Sequence, residues 1–218
     1  MLSSLLGVVE NSIVPVTRHG VASGSPLFGA AILSRSNLSV LTVATNNGRV
    51  SPLLHGELNC IQQFYTSTFP DPSCRPDPRN DTIFLATHEP CSLCLSAIAW
   101  AGFGEFYYLF KYEETRDLFG FPDDINILEE VFRVRGNDTE EQVQQRELYN
   151  AENKFFKGMS IADMVQETDE GERDRLAEEM KRVKGLYDDL HATFLTEKDR
   201  LQKDQADAPK PSNCSLPA

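Results

Sequence analysis

The chain has 218 residues, 40% hydrophobic and 25% charged, a balance that excludes collagen-like, wholly disordered and disulfide-framework classes and fits one folded domain with an appendage. Its 21 Lys+Arg against 33 Asp+Glu give a net charge of −12, a field that repels a phosphate backbone, so a nucleic-acid partner is disfavoured. No apolar stretch approaches the roughly 20 residues that span a bilayer. No basic segment followed by a long apolar run opens the chain, and the five cysteines form only one tight cluster. The expectation is a cytoplasmic or nuclear protein without membrane contact, in which the Asn37, Asn80, Asn137 and Asn213 sequons are unused.

Leu2, Leu5, Leu6, Val9 and Ile13 recur at helical spacing and predict an amphipathic first helix. Two short apolar runs, Leu27 to Ser34 and Leu38 to Thr45, joined by Arg35-Ser36-Asn37, predict an antiparallel strand pair. A helix begins at His55 and must stop before Phe69-Pro70-Asp71-Pro72, after which the proline-rich stretch to Asn80 is a loop. Thr82 to Thr87 reads as a buried strand, and a second helix runs from Pro90, placed in its first turn, through Trp100. Glu105 to Phe110 is strand-like, Glu113 to Phe119 helical, Gly120-Phe121-Pro122 a turn, and Ile125 to Leu128 a short strand. Strands alternating with helices predict a mixed sheet covered on both faces.

Beyond Arg135 the composition turns charged and amide-rich. Leu176, Met180, Val183, Tyr187, Leu190 and Phe194 follow 4-3-4-3-4 spacing, a long helix with one apolar seam that packs on its own domain or on a partner subunit. The seam also suggests a homodimer. The expected organisation is a domain over 1–135, a charged helical extension over 136–201 and a disordered tail over 202–218.

Two clusters carry chemistry: His55-Gly56-Glu57 and Pro90-Cys91-Ser92-Leu93-Cys94. Cys91 and Cys94 lie one helical turn apart, so at a helix N-terminus both sulfurs can reach one metal, and the helix dipole favours their thiolates. His55 completes a Cys₂His set for Zn²⁺ that leaves the fourth tetrahedral position open, the mark of a catalytic site. Glu57, two residues from His55, is the candidate base that takes a proton from water and returns it to a ring nitrogen and a leaving amine. The spacing H-x-E with P-C-x-x-C is the signature of zinc deaminases. A redox CxxC, or a structural zinc with a fourth ligand drawn from Cys60, Cys74 or His88, is the competing reading; His88 reads more simply as a packing residue, and His19 and His191 carry no neighbouring signal.

At these residues the chain resembles the cytidine deaminase superfamily, in the branch of guanine deaminases, fungal cytosine deaminases and tRNA adenosine deaminases. Pro26-Leu27-Phe28-Gly29-Ala30-Ala31-Ile32 is similar to that branch's PFGAVI-type first strand with Leu27 inserted. His88-Glu89-Pro90-Cys91 with Ala97-Ile98-Ala99-Trp100, and Arg116 to Asp124, are similar to segments of guanine deaminases. The resemblance implies a three-layer α/β/α cytidine-deaminase-like fold with a mixed five-stranded sheet, followed by a C-terminal helical extension. It implies Asn46, rather than Asn47, as a ligand of the substrate ring, and Asp124, with Asp123 as fallback, as the reader of a guanine amino group and ring N–H. Phe28 and Trp100 are candidate aromatic covers, or else core. The loop from Phe69 to Asn80 and everything after Arg135 depart from the family pattern. The expected activity is Zn²⁺-dependent hydrolytic deamination of a small amino-heterocycle, guanine or a related aminopurine first and cytosine-type bases second. Alternatives are a tRNA-editing adenosine deaminase or its subunit, and a non-catalytic zinc-binding interaction protein.

Overall fold

The computed structural model describes residues 1–133 and 136–207, with side chains up to residue 203. Five strands form one mixed sheet in the order β2-β1-β3-β4-β5: β1 (Gly29–Ser34), β2 (Val40–Thr45), β3 (Thr82–His88), β4 (Glu105–Phe110) and β5 (Lys157–Ser160). β1 pairs antiparallel with β2 and β3, while β3, β4 and β5 run parallel.

The period-2 geometry of a strand sorts the apolar residues between two layers. Ala31, Leu33, Ile83, Leu85 and Leu109 face one side, and Ala30, Ile32, Phe84, Ala86, Phe106 and Tyr108 the other. The first face is covered by α1 (Leu2–Val8), which continues through a π-helical turn (Val9–Ile13) into α2 (Val14–Ala22), together with α8 (Ile161–Gln166) and α9 (Glu170–Asp207). The second is covered by α3 (Gly56–Gln63) and α4 (Ser92–Trp100), through Cys60, Ile61, Leu95 and Ile98. The result is the expected α/β/α sandwich. Three further helices, α5 (Tyr112–Phe119), α6 (Asp123–Ile127) and α7 (Glu140–Gln144), lie after β4.

Several expectations change. Ile125 to Leu128 is helix, not strand, because Asp123 and Asp124 open a first turn whose free N–H groups favour carboxylates. The fifth strand is β5, where Gly158 is required by close approach: a Cβ there would stand 2.4 Å from the Phe106 ring. Pro90 precedes the helical turn, since Cys91 is the N-cap of α4 with an extended backbone. The apolar seam of α9 is consumed within the chain, with Leu176, Val183, Tyr187, Leu190 and Phe194 buried against the N-terminal helices and Met180 partly so. Arg182 pairs with Glu10 through contacts of 2.5 and 2.7 Å, and Lys184 with Glu114. The seam therefore offers no surface to a second copy. Residues 136–201, expected as an extension, supply both a strand and this core helix. α9 stays helical to Asp207, so only 208–218 of the expected tail, with Asn213 and Cys214, lie outside the described residues.

Gly158→Val is expected to push the Phe106 ring out of its place and detach β5 from β4, at a cost of about 1–3 kcal/mol for overpacking. A urea midpoint unchanged from the wild type would refute this.

Candidate metal centre

Antiparallel pairing puts the start of β1 beside the ends of β2 and β3, so Phe28, Asn46 and the His88 to Cys91 link meet at one edge of the sheet. The N-termini of α3 and α4 open onto the same edge, His55 and Cys91 being their N-caps. Gly56 allows this approach: a Cβ on it would lie 2.7 Å from the Phe28 carbonyl oxygen and 2.9 Å from the Gly29 Cα. Asn46 fixes the register by accepting the Gly56 N–H on its Oδ1 at 2.9 Å, which leaves its amide nitrogen for another acceptor.

The Cys91 and Cys94 sulfurs stand 3.4 and 3.7 Å from His55 Nδ1, and the three donor atoms lie within 4.8 Å of one another. A tetrahedral zinc with bonds near 2.3 Å to sulfur and 2.0–2.1 Å to nitrogen separates such donors by about 3.6 Å. The set fits Zn²⁺. Among the described residues no fourth His, Cys, Asp or Glu atom joins the group. Cys60 is buried with its thiol toward the Thr42 carbonyl, and Cys74 is exposed in the loop before β3. The arrangement is therefore an open three-ligand site rather than a closed structural one.

Electrostatics follow from burial among anions. Cys91 and Cys94 share a proton, and the hydrogen bond from the Cys94 thiol lowers Cys91 to about 4. Its negative charge and hydrogen bond raise His55 to about 8. Glu57, buried in the first turn of α3, is pushed up to about 8 by burial and then by Cys91. Asp124 is raised to about 7, first by burial and then by Cys91, with His55 acting in the opposite direction. Asp124 thus lies within electrostatic reach of the ligands, whereas Asp123 is exposed.

The two aromatic candidates separate. Phe28 packs edge-on against His88 at 4.6 Å and Phe121 at 5.0 Å between ring centres, beside the site. Trp100 is 92% exposed at the far end of α4, about 13 Å from Cys91 at 1.5 Å per residue, so it is neither core nor a cover for the metal. Sequence reasoning passed over Tyr112, whose phenol feels the charges of Glu89, Asp124, Cys91 and Glu57. Its only sequence signal is its place directly after β4.

His88 is a packing residue. Its ring stacks on Phe110 at 4.8 Å and meets Phe28, Phe119 and Tyr187 edge-on. Thr87 donates its hydroxyl to the Gly29 carbonyl at 3.1 Å, so the 2.9 Å contact from His88 Nδ1 carries the ring proton, and Nε2 is buried without a partner. Burial, with Lys184 nearby, holds the pKa well below 6.5. The folded ring stays neutral where the unfolded one takes a proton, so this group's stabilisation is present above about pH 6.5 and is lost as pH falls below it, by up to about 1.4 kcal/mol per pH unit. Comparing urea midpoints near pH 7.5 and pH 5 should show a shallower acid loss in His88→Phe than in the wild type; equal losses would contradict the assignment.

Residues 9–110 match the family described as the cytidine and deoxycytidylate deaminase zinc-binding region. No curated protein matches the chain. Among solved structures, a guanine deaminase from Nitrosomonas europaea is 15% identical, over 82% of this chain and 81% of that one, at a TM-score of 0.46. A guanine deaminase from Bacillus subtilis is 21% identical over 68% and 85%, also at 0.46. A structure from work on tRNA:A34 deaminases is 18% identical over 48% and 72%, at 0.40. These overlaps are partial and say nothing of substrate. The matched stretch, 9–110, is 102 of the 218 residues, runs from the N-terminal helix to the end of β4 and holds His55, Glu57, Cys91 and Cys94, so this part of the chain is similar to that zinc-binding region.

Proposed function

We propose that the protein is a zinc-dependent hydrolytic deaminase of a small amino-heterocycle, guanine or a related aminopurine first and a cytosine-type base second, acting in the cytoplasm or nucleus. The observation that carries this reading is the open His55, Cys91 and Cys94 set with the buried Glu57 carboxyl in the first turn beside it. When bound, zinc supplies Lewis-acid polarisation that makes water a competent nucleophile near neutral pH. Glu57 accepts one proton from the attacking water and delivers it to the ring nitrogen next to the amino-bearing carbon. It then carries the second proton from the new hydroxyl to the departing nitrogen, so that the C–N bond breaks, ammonia leaves and a carbonyl remains. Asn46 donates its amide to the ring edge, and Phe28 covers one face of the base.

Asp124 favours guanine. Its carboxylate offers two acceptor oxygens to the paired ring N–H and amino group of a guanine edge, and a buried reader of this kind discriminates strongly against bases that cannot fill it. A tRNA substrate is disfavoured by the net charge of −12. No described helix is long and apolar enough to cross a membrane. The test is an ammonia-release screen of free bases, nucleosides, nucleotides and pterins with the wild type and Asp124→Asn. Guanine should lead, and Asp124→Asn should lower its kcat/KM by about 10²-fold or more. Preference for cytosine or a pterin, unchanged in Asp124→Asn, would reject the guanine assignment.

A homodimer remains part of this reading, on a different surface from the α9 seam. Leu93 and Trp100 stand exposed on the outer face of α4, and an exposed tryptophan of this kind commonly anchors an interface. Light scattering should give twice 24.4 kDa, falling to one chain in Trp100→Glu. A monomeric wild type at micromolar concentration would overturn it.

A further inference from the structure

Glu89 is buried two residues before Cys91, yet it is not among the metal-binding group. Each of its carboxylate oxygens has its own donor: the Tyr112 backbone N–H reaches Oε2 at 3.1 Å and the Tyr149 phenol reaches Oε1 at 2.8 Å. Two donors aimed at two oxygens suit the ionised form, which would otherwise be costly to bury. The Tyr112 phenol then donates to the Pro90 carbonyl at 2.5 Å, and the Glu89 amide to the Phe110 carbonyl at 2.8 Å. Pro90 has no N–H of its own, so these bonds are the handles by which the dipeptide before the ligand is held. Cys91 follows in an extended conformation as the N-cap of α4, and a small rotation of the Glu89-Pro90 link would swing its sulfur away from His55.

We propose that Tyr149, acting through Glu89, is a positioning residue for the metal ligand Cys91. The proposal rests on the reading of His55, Cys91 and Cys94 as zinc ligands. Tyr149 comes from the charged stretch after Arg135, so its phenol carries a contact from that stretch to the segment that holds Cys91. Glu89 and Tyr149 both line a cavity of about 540 Å³, where water can solvate the carboxylate once the phenol is gone. Loss of the hydroxyl should therefore loosen the ligand more than it destabilises the fold. Outer partners of metal ligands commonly govern affinity by 10–100-fold.

The test uses the full-length zinc-loaded protein, with zinc release to a chromogenic chelator as the readout. Tyr149→Phe is expected to release zinc about 10-fold faster than the wild type at a nearly unchanged Tm. Glu89→Gln, which sets an amide N–H₂ against the Tyr112 N–H or the Tyr149 hydroxyl, should release it faster still. With cobalt in place of zinc, the thiolate-to-metal absorption should shift in both variants. Val183→Ala, a truncation in the α9 core cluster that contains neither Glu89 nor Tyr149, should lower Tm without moving either readout. Zinc held by the wild type but released at the same rate by Tyr149→Phe and Glu89→Gln, with an unchanged cobalt spectrum, would overturn the positioning role. A wild type that fails to hold zinc would instead overturn the ligand assignment itself.

Discussion

Glu57→Gln should retain zinc and the native fold while ammonia release falls by at least 10²–10⁴-fold, the span that a positioned general acid–base contributes. Glu57 is not one of the donor atoms that converge on His55 Nδ1, so its loss leaves the metal set intact. Glutamine keeps the volume in a buried first-turn position but has no basic oxygen to take a proton from water. Folding stability should hold or rise slightly, because a buried carboxyl surrounded by anions is itself a cost. Cys91→Ala behaves differently, losing the metal and with it whatever folding energy the metal provides. Measuring zinc content, Tm and ammonia release on the same samples separates the two. Release within 10-fold of the wild type in Glu57→Gln would sink the mechanism.

Ending the chain before Glu170 should leave no cooperatively folded protein. α9 buries Leu176, Val183, Tyr187, Leu190 and Phe194 against α1, α2 and the aromatic residues after β4. At roughly 1.5–3 kcal/mol for each buried side chain, the loss is on the order of 10 kcal/mol, comparable with the roughly 5–15 kcal/mol that holds a whole domain together. The removal also exposes Leu5, Leu6, Val9 and Ile13, which are fully buried in the intact fold. Tyr187→Ala offers a graded version, costing about 3–5 kcal/mol as a large core truncation. A shortened chain with a sharp urea transition and retained zinc would show that α9 is an accessory, as an interaction helix would be.

Four of the strands and the grouping of His55, Cys91 and Cys94 were legible because each rests on a local rule. The unbroken apolar run Ile83-Phe84-Leu85-Ala86 suits a strand buried on both faces, and the spacing of Cys91 and Cys94 is one helical turn wherever the helix lies. β5 was not legible: Lys157-Gly158-Met159-Ser160 has one large apolar side chain, and its pairing is set by the Phe106 ring that Gly158 accommodates. Ile125 to Leu128 is a short apolar run, which periodicity cannot assign, and the deciding signal was the acidic pair before it. The 4-3 spacing of α9 gave its buried stripe, but spacing does not name the surface it meets. Trp100 looked like a core or site residue from its composition alone, and its position on α4 turned it outward. Tyr149 carries no motif, and its link to Glu89 exists only because the chain folds back after α6.

The contact between the first and the last described helices also has a kinetic meaning. Arg182 and Glu10 are 172 residues apart in sequence, and the apolar face of α1 and α2 is completed by residues up to Phe194. A ribosome making this protein at about 5–20 residues per second exposes that face for roughly 10 seconds or more before its cover emerges. High sequence separation also slows the search for the native pairing once synthesis is complete. The yield of folded chain should therefore depend on holding chaperones more steeply than the stability of the finished fold would suggest.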